Sequence, residues 1–170
     1  MSNIKLRSFE SKILYMNGMY TLPVAPYPQV DAAVQWQCKQ DNEKHTDRDA
    51  LLIRLDKLRT ILLDEVNESG DIMSKLRNGE YAEALDFLTE MADLMGDIQV
   101  YCASENARFG IPNGEILDII MDSNFSKLGA DGLPIIKDGK FEKGPFYWKP
   151  EPKIRELLAA RIKEYTQPTN

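Results

Sequence analysis

Four carboxylates recur at helical spacing in the stretch LDFLTEMADLMGDIQVY: Asp86, Glu90, Asp93 and Asp97, at steps of four, three and four. Such steps place side chains on one side of a helix, within roughly 60° of its surface. Between Glu80 and Ala107 there are seven acids and no lysine or arginine. Like charges at these spacings destabilise a helix by about a few tenths of a kcal/mol per pair. A second set stands in DEVNE: Asp64, Glu65 and Glu68. At about 100° per residue from Leu51, the stripe Leu51, Leu55, Leu58 and Leu62 stays within about 40°. Glu65 then falls at roughly 320° and Glu68 near 260°, beside Ile61 and Ile72. Both glutamates lie toward the core side, where a carboxylate is seldom found without a partner.

Acidic runs on helices are commonly solvated faces. Two antiparallel neighbours that bring both sets together require cations between them. All-oxygen donors suit a hard divalent ion, Mg²⁺ or alternatively Mn²⁺, which bridges carboxylates and substrate phosphates. His45, the single histidine, builds neither a histidine metal site nor a triad alone and is expected at the surface.

The elements that must position these acids follow from periodicity. Residues 1–45 read as an irregular N-terminal segment, with three prolines in TLPVAPYPQ and one short helix, VDAAVQWQCKQ. Residues 46–170 read as a helical domain, the chain being a single domain overall. Its first helix, capped by Asp47 or Asp49, runs to about Leu76 on the stripe Leu51, Leu55, Leu58, Leu62 and Val66. The next spans about Glu80 to Arg108 and stops at Gly110 and Pro112. GEILDIIMDSNFSK and KIRELLAARIKEY follow as helices, with Pro152 near the start of the last. Between them, IIKDGKF places Asp138-Gly139 between apolar residues, the signature of a tight hairpin. The expected fold is all-α, an antiparallel helical bundle with a small C-terminal β-hairpin.

Composition narrows the function. Of 170 residues, 43% are hydrophobic, which is a globular composition. A net charge of −6 argues against binding a nucleic-acid polymer. Cys38 and Cys102 stand far apart, so no disulfide framework is expected and a cytoplasmic setting is the default. No signal-peptide core and no apolar run of membrane-spanning length is expected.

LRTILLDEVNES resembles the E-E-x-x-E helix of the all-α nucleoside-triphosphate pyrophosphatases, the MazG-like superfamily. Asp64 stands for the first glutamate; Glu65 and Glu68 match the others. EMADLMGDIQVYCAS resembles that family's E-x-x-D helix, with Glu90 and Asp93 in the motif and Asp97 one turn on. MDSNFSKLGADGLPIIKDGKFEKGPFYWKPEPKI resembles the tail of a phosphoribosyl-ATP pyrophosphatase-like subgroup. The resemblance runs over about residues 50 to 155.

The resemblance implies hydrolysis of a nucleoside triphosphate, ribo or deoxy, between its α and β phosphates. The products are a nucleoside monophosphate and pyrophosphate, and nucleotide-pool cleansing is the expected role. Metal is expected on Asp64, Glu65, Glu68, Glu90, Asp93 and Asp97, with Glu65 and Glu68 catalytic and Glu65 orienting the water or taking its proton. The lysine-rich tail supplies the opposite charge: Lys127 and Lys143 for phosphate, Asn124 for base or sugar, and Tyr147 for stacking. A homodimer or homotetramer is expected. The alternatives keep the metal site and change the substrate, to dUTP or phosphoribosyl-ATP, or leave a non-catalytic nucleotide-binding helical protein.

Overall fold

The computed structural model describes residues 8–167. It is a set of six helices, among the described residues, with one two-stranded hairpin: α1 Phe9–Met19, α2 Asp31–Asp41, α3 Asp47–Arg77, α4 Ala84–Arg108, α5 Asn113–Phe125, β1 Ile136–Lys137, β2 Lys140–Phe141 and α6 Pro150–Thr166. The all-α reading with a small hairpin holds. No described helix is long and apolar enough to cross a membrane. Both cysteines are free.

The chain divides into two units, one ending at Gly110 and one beginning at Ile111; the expected division near residue 45 falls within the first. In the first unit α3 packs on α4, α2 on α3 and α1 on α4. α1 corrects the expectation of an irregular start. Ser8 caps it by accepting from the Ser11 N–H, and it buries only Ile13 and Asn17. Ile13 packs with Ala103 and Ala107 of α4. Asn17 Nδ2 donates to the Ser104 carbonyl at 3.1 Å.

Thr46, rather than an aspartate, caps α3: its Oγ1 accepts from the Asp49 N–H at 3.2 Å. Asp47 and Asp49 in the first turn and Lys75 and Arg77 in the last complement the helix dipole. The buried face of α3 departs from the expected stripe. Leu55 and Val66 are exposed, whereas Ala50, Arg54, Glu65 and Ile72 are buried. Arg54 Nη2 pairs with Glu105 Oε2 of α4, and Arg108 Nε lies 3.2 Å from the same carboxylate. The Arg54 and Arg108 guanidinium carbons stand 5.2 and 4.9 Å from the centre of the Trp36 ring. Burial first, and then the like charge of Arg54, lower the pKa of Arg108. The ionic cluster thus pins α2 to the α3–α4 pair. His45 belongs to the same end of α2. Its Nε2 lies 3.0 Å from Asp41 Oδ2 and its side chain is mostly covered, which corrects the surface assignment.

At the end of α4, Gly110 has φ +65°, and a Cβ there would run into the Tyr27 carbonyl. The Ala25 N–H donates to the Ala107 carbonyl and the Gln29 N–H to the Phe109 carbonyl, at 3.0 Å each. These bonds seat the proline-rich connection against the end of α4.

In the second unit α5 packs on α6. Ser123 Oγ donates to the Trp148 carbonyl at 2.9 Å, and the Trp148 N–H donates to Ser126 Oγ at 3.2 Å. Lys153 Nζ stands 3.8 Å from the centre of the Trp148 ring. The hairpin pairs Ile136 with Phe141 and Lys137 with Lys140. Asp138 and Gly139 both take positive φ, 50° and 74°, as a two-residue hairpin turn requires.

Candidate functional site

α3 and α4 bring their two acidic sets to one interface, and each acid there meets a different environment. Glu65 is buried, at 8% exposure, and its Oε2 has no hydrogen-bond partner. Burial pushes its pKa up. Glu68, Asp97 and Asp64 add to the rise as neighbouring negative charges, while a hydrogen bond from the Tyr101 side chain opposes it. Tyr101 is itself raised, by burial and by the charges of Glu65 and Asp97. Glu65 and Asp97 are therefore close enough to feel one another's charge, and Tyr101 bonds to Glu65.

From about one to three turns further along α3, a cleft of about 270 Å³ opens, lined by Glu68, Asp71, Ile72, Lys75, Glu90, Asp93 and Leu94. Here Glu90 is not free. Lys75 Nζ lies 2.8 and 3.0 Å from its two carboxylate oxygens, and Tyr81 Oη donates to its Oε2 at 2.7 Å. These bonds, with Lys75 first, lower the pKa of Glu90. Glu90 in turn raises Lys75. Tyr81 is pushed up to about 12 by burial and by its bond to Glu90.

The acidic stripe on α4 is thus divided by function. Asp86 Oδ2 accepts from the Glu83 N–H at 3.0 Å and closes the helix start. Glu90 holds Lys75. Glu105 holds Arg54 and Arg108. Asp93 faces the cleft and Asp97 lies within reach of the Glu65 charge. The missing bases of this helix come from its neighbours, above all α3. Sequence reasoning passed over Lys75 and Tyr81. Lys75 lies seven residues after Glu68, two helical turns along the same face, which was the available signal.

The donor chemistry fits a hard cation. The acids offer carboxylate oxygens, and Glu65 Oε2 is buried with no hydrogen-bond partner. Among the described residues no three His, Cys, Asp or Glu side chains converge as a ready-made cage. A Mg²⁺ site does not require one, because that ion is usually held by one or two carboxylates plus waters and substrate phosphates.

The four expected substrate residues lie in the second unit, in two contacting pairs. Lys127 Nζ donates to Asn124 Oδ1 at 2.7 Å. Lys143 Nζ stands 4.4 Å from the Tyr147 ring centre. The Gly144 N–H donates to the Lys127 carbonyl at 2.9 Å, and a Cβ on Gly144 would collide with the Leu128 carbonyl. The backbone bond from Gly144 to Lys127 thus ties together the segments that carry the two pairs.

No protein-family description matches the chain, and no curated protein matches it. Among solved structures it is similar to one described as a "putative NTP pyrophosphohydrolase" from Exiguobacterium sp. 255-15. The identity is 16%, the TM-score 0.49, and the match covers 94% of this chain and 99% of that one.

Proposed function

We propose that the chain is a metal-dependent nucleotide pyrophosphohydrolase. It adds water across the α–β anhydride of a nucleoside triphosphate, ribo or deoxy, to give a monophosphate and pyrophosphate. Glu65 is the observation that carries this reading. A carboxylate that is buried, short of a partner and surrounded by Glu68, Asp97 and Asp64 is unfavourable in a merely structural helix. It is what a site for a water proton and a cation requires. The order of the carboxylate motifs and the tail supports the same reading.

Glu68, Asp93 and Asp97 would hold Mg²⁺ or Mn²⁺, with Asp64 beside them. The ion, when bound, neutralises phosphate oxygens and acidifies water. Glu65 Oε2 orients the attacking water and takes its proton. Its buried Oε2, with no hydrogen-bond partner, leaves a lone pair for that water. Tyr101 fixes the other side of that carboxylate. Taken by itself, the second unit carries Lys127, Lys143, Asn124 and Tyr147, whose chemistry suits phosphate, base or sugar. Leu55, Val66 and Met73 on α3 and Leu88 and Met95 on α4 remain exposed. A second copy of the chain covers them in a homodimer or homotetramer.

The test is pyrophosphate release from a panel of ribo- and deoxynucleoside triphosphates, with Mg²⁺ and with chelator. Metal-dependent release that Glu68→Ala abolishes is the expected result. A well-folded protein that releases pyrophosphate from none of them overturns the reading.

A further inference from the structure

We infer that Lys75 is the phosphate-gripping cation of the α3–α4 cleft, and that Glu90 and Tyr81 aim it. Glu90 is then a positioning residue and not a metal ligand. This rests on reading the cleft as a polyphosphate site. The residues that line the cleft include four carboxylates, Glu68, Asp71, Glu90 and Asp93, and one cation, Lys75. A polyphosphate entering there adds more negative charge, so it needs a fixed positive group beside any bound metal.

Lys75 is built for that task. Glu90 meets its ammonium with both oxygens, at 2.8 and 3.0 Å. An ammonium has three N–H donors, so at least one remains for a phosphate oxygen. The side chain is 43% exposed and open to a ligand from solvent. Tyr81 also donates to Glu90 Oε2, at 2.7 Å. Tyr81 in turn packs edge-on against Phe87, ring centres 5.7 Å apart. The order is Phe87, Tyr81, Glu90, Lys75: an aromatic base, a carboxylate anchor and a cation at the tip. A carboxylate that already holds an ammonium with both oxygens and accepts from a phenol has its charge compensated. A metal would have to compete with the Lys75 ammonium for it.

Two binding measurements separate the roles. Mn²⁺ alone is titrated by electron paramagnetic resonance. Methylenediphosphonate, a non-hydrolysable diphosphate, is titrated with Mg²⁺ by calorimetry. Lys75→Gln is expected to weaken methylenediphosphonate about tenfold or more, and Lys75→Arg to recover most of it. Glu90→Gln is expected to keep wild-type Mn²⁺ affinity, whereas Glu68→Gln loses it. The inference is overturned if Glu90→Gln loses Mn²⁺ as Glu68→Gln does. It is also overturned if Lys75→Gln binds the diphosphonate like wild type. A wild-type protein that binds neither probe overturns the polyphosphate reading itself, and the inference with it.

Discussion

Asn17 and Ser104 exchange hydrogen bonds in both directions across the α1–α4 contact. Asn17 Nδ2 donates to the Ser104 carbonyl at 3.1 Å, and Ser104 Oγ donates to Asn17 Oδ1 at 2.7 Å. Asn17 is fully buried, so its amide has no water to fall back on. Asn17→Ala leaves two buried groups unpaired and is expected to cost about 2 kcal/mol, read from urea unfolding. An unchanged midpoint would mean that α1 contributes nothing to the first unit.

Glu65 ties stability to function in opposite senses. Its folded-state pKa lies above the ordinary 4.5, so the folded protein holds the proton more tightly than the unfolded chain does. Stability is therefore lost as pH rises from 4.5 through the raised value, and the deficit is complete above it. Glu65→Gln removes the deficit. Its melting temperature should exceed wild type at pH 7, and the two should converge below the ordinary carboxylate range. Pyrophosphate release should fall about a hundredfold or more in the same variant. A variant that melts lower at pH 7 would show that the Tyr101 bond outweighs the burial.

Gly110 is constrained twice, by φ +65° and by the Tyr27 carbonyl where a Cβ would stand. Gly110→Ala is expected to destabilise the protein by about 2 kcal/mol or more. Gly79 also has positive φ but open space around it, so Gly79→Ala should cost only about 1 kcal/mol. Equal losses in the two variants, measured side by side, would remove the steric part of the argument.

Leu88 tests the oligomer. It is 58% exposed, so Leu88→Glu should alter the stability of the isolated chain by no more than about 0.5 kcal/mol. Light scattering is expected to give wild type at two or four times the chain mass and the variant at a lower multiple. A monomeric wild type would contradict the assembly.

Much of this architecture was legible in the sequence, and what escaped did so for physical reasons. The three- and four-residue steps of Asp86, Glu90, Asp93 and Asp97 located α4, and Asp138-Gly139 located the hairpin. α1 escaped because it buries only two positions, one of them polar, and because three prolines follow it. The stripe on α3 was read too far toward Leu55 and Val66. The inward Glu65 was legible from its place beside the stripe. Hydrophobic periodicity places apolar side chains inward, whereas here Arg54 takes an inward position through a partner on α4 that no local pattern records. The same limit hid the Lys75–Glu90 pair, fifteen residues apart and joined only when the helices meet. The acids themselves were visible, but their division into cap, anchor and open carboxylate was not.

The chain has two tryptophans, and they are distributed one to a unit, Trp36 before Gly110 and Trp148 after it. Each ring has a cation over it, so loss of local order changes the surroundings of each indole. The protein therefore contains two separate fluorescent reporters. With Trp148→Phe, emission follows the carboxylate-bearing unit alone. With Trp36→Phe, it follows the lysine-bearing unit. Overlaying the two melting curves would show whether acid site and basic tail open as one cooperative body or in sequence, with no dye attached.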